Sequence, residues 1–231
     1  MPTLILRIIP FYKQILKVVT IFAIFCNFVN IFKQVAMILP IVGYGDPVLR
    51  KECEEITPDY PQLKELVSDM FETMEHAYGV GLAAPQVGLA IRLFVVDTAP
   101  FSEDEDLSED ERNFLANFQC AFINAKIIKE EGKEWAFNEG CLSIPGVREN
   151  VLRKPNITIE YYDENFVKHT KDFTGYAARV IQHEYDHIEG ILFTDKISTL
   201  KKKLNAKRLQ NIVDGKVFPD YKMKFINKKG R

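Results

Sequence analysis

A chain of 231 residues with 47% hydrophobic and 27% charged residues has the balance of an ordinary folded domain with a substantial core, which excludes wholesale disorder. Residues 1–36 hold four basic residues and no acidic one, leaving 26 basic against 32 acidic residues downstream. That balance gives no support for DNA binding, which asks for a basic face. Cys26, Cys53, Cys120 and Cys141 are too few and too scattered for a disulfide framework and point to a reducing, cytoplasmic setting.

Residues 1–36 read as an apolar, basic N-terminal extension, with Arg7, Lys13, Lys17 and Lys33 flanking an apolar run over 18–32. At about 15 residues this run is shorter than the ~20 that span a membrane. A secretory signal is not supported, because Val35-Ala36 lacks a small residue at the position two before the cut, and a transit peptide would be rich in serine, of which this segment has none. The extension is read as a start-site overcall or an amphipathic segment that touches membrane, and residues 37–231 as the catalytic domain.

From Met37 the glycine- and proline-punctuated run to Pro47 reads as loop. Asp59 and Pro61 signal a helix start, Leu63, Leu66, Val67, Met70, Phe71 and Met74 repeat at helical spacing, and Gly79 is the expected stop. Residues 91–97 are short, branched and apolar, as a buried strand should be. Seven of the nine residues 103–111 are acidic, which predicts a self-repelling, solvated insertion; it lacks the alternation and glycine of a calcium loop. Strands are expected over 121–128, 147–153, 157–162 and 166–173, joined by short turns and so antiparallel. Trp135 is expected in the core. Thr174 then caps a helix that reaches about His187 and ends at Gly190; a basic helix over 199–213 and a strand-like tail over 221–226 follow.

On the helix after Thr174, His183 and His187 are four apart and share a face. With a thiolate from elsewhere they can hold one metal ion and leave a coordination position open, and Glu184 beside them can act as a base. Gly79-Val80-Gly81-Leu82-Ala83-Ala84-Pro85-Gln86 is a glycine-rich turn after a helix and before a strand, the wrong order for a dinucleotide loop. Its glycines allow a substrate backbone to approach, with Gln86 as an N–H donor to an oxygen.

That turn, Glu139-Gly140-Cys141-Leu142-Ser143 and His183-Glu184-Tyr185-Asp186-His187 match, in order, G-x-G-x-A-A-x-Q, E-G-C-L-S and H-E-x-D-H. From about residue 37 to 197 the chain therefore resembles the peptide deformylases. The resemblance implies an α+β fold, with antiparallel sheets packed around a central helix carrying the His-Glu-x-x-His motif. It implies a hydrolase that removes the N-formyl group from the N-terminal methionine of nascent proteins, with Cys141, His183 and His187 as metal ligands and Glu184 as general base. Gln86 and the Leu142 N–H would be the oxyanion donors. Val80, Ile144, Tyr176 and Val180 would form the methionine pocket with Arg148 at its rim, and substrate backbone would pair along Val80-Gly81 and the strand after Cys141. Asp186 would pair with Arg153.

One divalent ion is implied, with Fe(II) favoured and Zn(II) or Ni(II) as other occupants. The implied partner is an N-formylmethionyl nascent peptide, met by a monomer with a transient ribosome contact through the basic residues 201–208. A solvated helix face is the simpler reading of those charges. A zinc metallopeptidase uses the same histidine pair and glutamate but needs its own third ligand, and no histidine follows His187. An inert structural site would need a fourth protein ligand, and no second cysteine lies near Cys141.

Overall fold

Apolar spacing places the first helix, α1 (Leu63–His76), in the computed structural model, which describes residues 36–227. The expected extension, with Cys26 and its four basic residues, lies outside the described residues except for Ala36. Leu63, Val67, Met70 and Met74 recur along α1 every three or four residues and are buried. The helix starts after Asp59 and Pro61, with Gln62 as a left-handed N-cap. Its end is a Schellman turn: the Gly79 N–H donates to Met74 O and the Tyr78 N–H to Glu75 O, both at 2.9 Å. Tyr78 (φ 54°), rather than the expected Gly79, takes the left-handed position. Gly79 instead lies close against the Leu142 side chain, whose Cδ1 would be 2.8 Å from a Cβ there and would have to shift.

The strands in chain order are β1 (Ile41–Val42), β2 (Gly81–Ala83), β3 (Leu93–Asp97), β4 (Gln119–Glu131), β5 (Trp135–Gly140), β6 (Arg148–Arg153), β7 (Asn156–Tyr162), β8 (Lys168–Thr174) and β9 (Met223–Lys224). An antiparallel sheet runs β2-β3-β4-β7-β8, β5 and β6 form an antiparallel hairpin, and β1 pairs with β9 in parallel. Ile41 and Val42, read as loop, are a buried strand whose partner comes from the far end of the chain. The strand β5 was not expected at all, and Trp135 on it is half-buried rather than fully in the core. Phe166 (φ 56°) belongs to the turn before β8, which delays that strand.

Helix α2 (Glu109–Ala116) corrects the expectation of a wholly solvated acidic loop. Ser108 Oγ accepts the Glu111 N–H at 3.3 Å while Glu111 Oε2 accepts the Ser108 N–H at 3.1 Å. This capping box, with three carboxylates in the first turn, satisfies the helix N-terminus and its dipole.

Helix α3 (Gly175–Ile188) carries the histidine pair and is buried along most of its length, packed against β2, β3 and β8. Thr174 is its N-cap, as expected, but makes no side-chain capping bond. Helix α4 (Thr199–Val213) presents Leu209 and Ile212 inward, and its basic residues lie on the outer face. In the main sheet Phe94 and Phe122 pair across β3 and β4, their rings stacked at 4.8 Å, a contact worth about 0.5–1.5 kcal/mol beyond its buried area. Among the described residues no helix is long and apolar enough to cross a membrane.

Candidate metal centre

Helical spacing places His183 and His187 one turn apart on α3, with ring centroids 5.2 Å apart. Cys141 follows β5 directly, and its Sγ lies 3.2 Å from His187 Nε2. The donor atoms of all three residues lie within 4.8 Å of one another. A thiolate and two imidazoles suit Zn(II), Fe(II) or Ni(II), and three protein ligands leave a position for water or substrate. Burial, then the charges of His183 and Arg153, hold His187 toward its neutral form, the form that binds a metal. Its buried Nδ1 has no hydrogen-bond partner among the described residues.

Behind these donors stands Glu139, the last inward residue of the alternation Trp135, Phe137, Glu139 on β5. Its Oε2 lies 2.9 Å from His183 Nδ1; a carboxylate only accepts, so Nδ1 carries the proton and Nε2 is left for the metal. Arg153 donates from Nε to Oε1 at 2.7 Å and from Nη2 to Oε2 at 2.9 Å, and Arg179 Nη1 reaches Oε1 at 3.0 Å. Burial alone would raise the pKa of Glu139, but the hydrogen bonds from His183 and Arg153 outweigh it and hold the carboxyl well below the usual carboxylate range. The expected Arg153–Asp186 pair is present at 2.6 Å. Arg179 also donates to Val151 O and Trp135 O, with its guanidinium 4.4 Å from the Trp135 ring centroid.

Glu184 is buried, which raises its pKa to about 7 against the opposing charges of His183 and Arg153. Its Oε2 makes no hydrogen bond among the described residues. The side chain packs against Gly81, where a Cβ would come within 2.7 Å of Glu184 Cδ and Cγ. The glycine at 81 therefore makes room for this carboxylate, whatever it also offers a substrate. Gln86 Oε1 accepts the Ala83 N–H at 2.8 Å, which turns Nε2 toward Cys141 Sγ at 3.4 Å. The Leu142 N–H meets no acceptor among the described residues. Gln86, Cys141, Leu142, His183 and Glu184 all face one cleft of about 890 Å³.

Residues 38–203 match the sequence model of the family described as polypeptide deformylase. The chain belongs to the polypeptide deformylase family. A peptide deformylase of Flavobacterium johnsoniae is 69% identical over 196 residues, spanning 84% of this chain and 100% of that protein. Among solved structures, a peptide deformylase from Legionella pneumophila superposes with a TM-score of 0.65 at 34% identity, covering 75% of this chain and 94% of the other. One from Thermus thermophilus gives 0.65 at 39% identity, covering 76% and 98%. The α+β architecture is thus that of the deformylases, with antiparallel sheets around a central helix. This deformylase is a metal-dependent hydrolase that removes the N-formyl group from the N-terminal methionine of nascent proteins, and the metallopeptidase alternative is not favoured.

Of the pocket residues implied by resemblance, Val80, Gly81, Ile144, Arg148 and Val180 line the cleft of the deformylase. Tyr176 does not. Its ring stacks on Phe101 at 4.9 Å, its hydroxyl donates to Asp104 at 2.7 Å, and it lines a separate cavity of about 500 Å³ beside Leu107 and Phe173. Phe101 and Phe137 line the cleft and were not anticipated. Glu139 opens the Glu139-Gly140-Cys141-Leu142-Ser143 motif, and the motif by itself gives it no role. A lone glutamate ending an apolar alternation signals a buried charge that must find partners.

Proposed function

We propose that Cys141, His183 and His187 of this deformylase hold one divalent cation and that Glu184, Gln86 and Leu142 carry out the hydrolysis. The observation that supports this most is the buried Glu184 carboxylate, with Oε2 unengaged among the described residues, in the cleft that also holds His183, Cys141 and the Gln86 amide. When bound, the cation supplies a Lewis acid that lowers the pKa of water and polarises the formyl oxygen. Glu184 accepts a proton from the attacking water and returns it to the amine nitrogen as the C–N bond breaks, releasing formate and a free N-terminus. Gln86 Nε2 and the Leu142 N–H donate to the oxygen that gains charge as the formyl carbon becomes tetrahedral. The methionine side chain lies against Val80, Ile144 and Val180 with Arg148 at the rim, and the peptide backbone runs beside Val80-Gly81. A formyl carbon bears only hydrogen beyond its oxygen, so a crowded site admits it and rejects larger acyl groups.

Glu184→Ala is expected to keep its metal and lose formate release from formyl-Met peptides by about 10²–10⁴-fold. Unchanged turnover would remove Glu184 from the mechanism. Cleavage of internal peptide bonds without formate release would point to a peptidase.

Fe(II) is the proposed cellular ion, with Zn(II) and Ni(II) as alternatives. Anaerobic reconstitution should give the highest formate release with Fe(II); equal rates with Zn(II) would count against it. The catalytic domain is proposed to be residues 37–231, acting as a cytoplasmic monomer. Peptides from before Met37 in native protein would refute a start-site overcall. A transient ribosome contact through α4 would use Lys203 and Lys207, because Lys201 already pairs with Glu149 at 3.0 Å and Lys202 with Asp195 at 3.4 Å. Salt-independent or absent co-sedimentation with ribosomes would leave α4 as a solvated face.

A further inference from the structure

The family match ends at residue 203, yet the cleft continues onto a C-terminal strap that includes Phe218 and Tyr221. The strap is tied to the fold on either side of this stretch. The Lys216 N–H donates to Asn211 O at 2.8 Å, and the Ile41 and Gly43 N–H groups donate to Lys222 O and Lys224 O at 2.9 Å. Within it, Tyr221 Oη donates to Leu142 O at 2.7 Å, and both side chains pack on the same apolar cluster. Burial, with the Cys141 charge added, pushes the Tyr221 pKa up, so the phenol keeps the proton it donates.

The turn after Cys141 is thereby held at three successive carbonyls. The Ile144 N–H donates to Cys141 O at 2.8 Å, Tyr221 to Leu142 O, and the Tyr44 N–H to Ser143 O at 2.8 Å. The first bond orients the peptide plane that carries the Leu142 N–H, and the second orients the next plane. Peptide planes are rigid and only two soft dihedrals separate them, so pinning both planes fixes where the Leu142 N–H points. Tyr221 supplies the one side chain among these three bonds.

We propose that Tyr221 is a positioning residue for deformylation, holding the turn at 141–144 so that the Leu142 N–H meets the developing oxyanion. This rests on the oxyanion role proposed above for Leu142. Tyr221→Phe removes the hydroxyl and keeps the ring. An interaction used only in the transition state lowers kcat without raising KM, so kcat should fall about tenfold with KM within about twofold. That is less than the ~10²–10³ expected when an oxyanion donor is deleted outright.

Metal content per chain should be unchanged, and hydrogen exchange at the Ile144 amide, whose bond to Cys141 O closes the turn, should quicken. Lys222→Ala, an exposed change in the same strap, should alter neither kcat nor exchange. An unchanged Ile144 exchange rate in Tyr221→Phe would overturn the positioning role alone. Faster exchange with unchanged kcat would overturn it together with the oxyanion role of Leu142.

Discussion

Two regions of this deformylase are crowded with carboxylates and use them in opposite ways. In the acidic stretch 103–111 the carboxylates face water and find few partners: Glu111 caps Ser108 within its own turn, and Asp104 accepts one bond from Tyr176 on α3. At the metal centre Glu139 and Asp186 are buried, and their partners come from other elements; Arg153 on β6 bridges both at once. Exposed charges cost little and fix little, whereas a buried carboxylate must have its oxygens met by donors and so ties several elements into one geometry. The difference lies in where the groups sit, since the residue types are the same.

Changing one group at a time sharpens the contrast. Glu139→Gln leaves Arg153 and Arg179 buried without their shared counter-charge and should lower unfolding free energy by about 3–5 kcal/mol. Metal affinity should drop by about 10–100-fold because an amide offers one acceptor oxygen where His183, Arg153 and Arg179 now share two, so the orientation of His183 is weakened. Urea unfolding and metal titration would read both, and a loss under ~1 kcal/mol would put the network on a par with a surface cluster. Asp186→Ala removes one Arg153 partner but keeps the paired bonds to Glu139, so a loss of about 1–3 kcal/mol is expected by the same unfolding measurement. Ser108→Ala, in the acidic stretch, should cost about 1 kcal/mol through the lost cap and leave formate release unchanged. An activity loss there would mean that α2 acts on the cleft.

What was legible in the sequence was local. The helical spacing of His183, Glu184 and His187 depends on one element, and the three motifs carried the resemblance that matched Cys141 to it. What was not legible came from pairing across distance. The strand β5 mixes Asn138 and Glu139 with apolar residues and becomes a strand only through β6. Tyr176 leaves the cleft because Phe101 offers it a stacking partner from another segment. Ile41 and Val42 look like loop until Met223 and Lys224 arrive beside them. The partners of Glu139 come from β6 and α3, and no spacing rule joins those to a strand at 135–140.

The hydrogen at Gly81 marks the boundary within which the catalytic carboxylate can sit. A methyl group there would claim space already taken by Glu184 Cγ and Cδ, and the three atoms nearest to it all belong to Glu184. Shape alone, on a neighbouring strand, therefore addresses the base independently of the metal donors. A single added carbon at 81 offers a way to make a metal-loaded, slow enzyme with every charge of the site in place, suited to trapping a formylated peptide in the cleft.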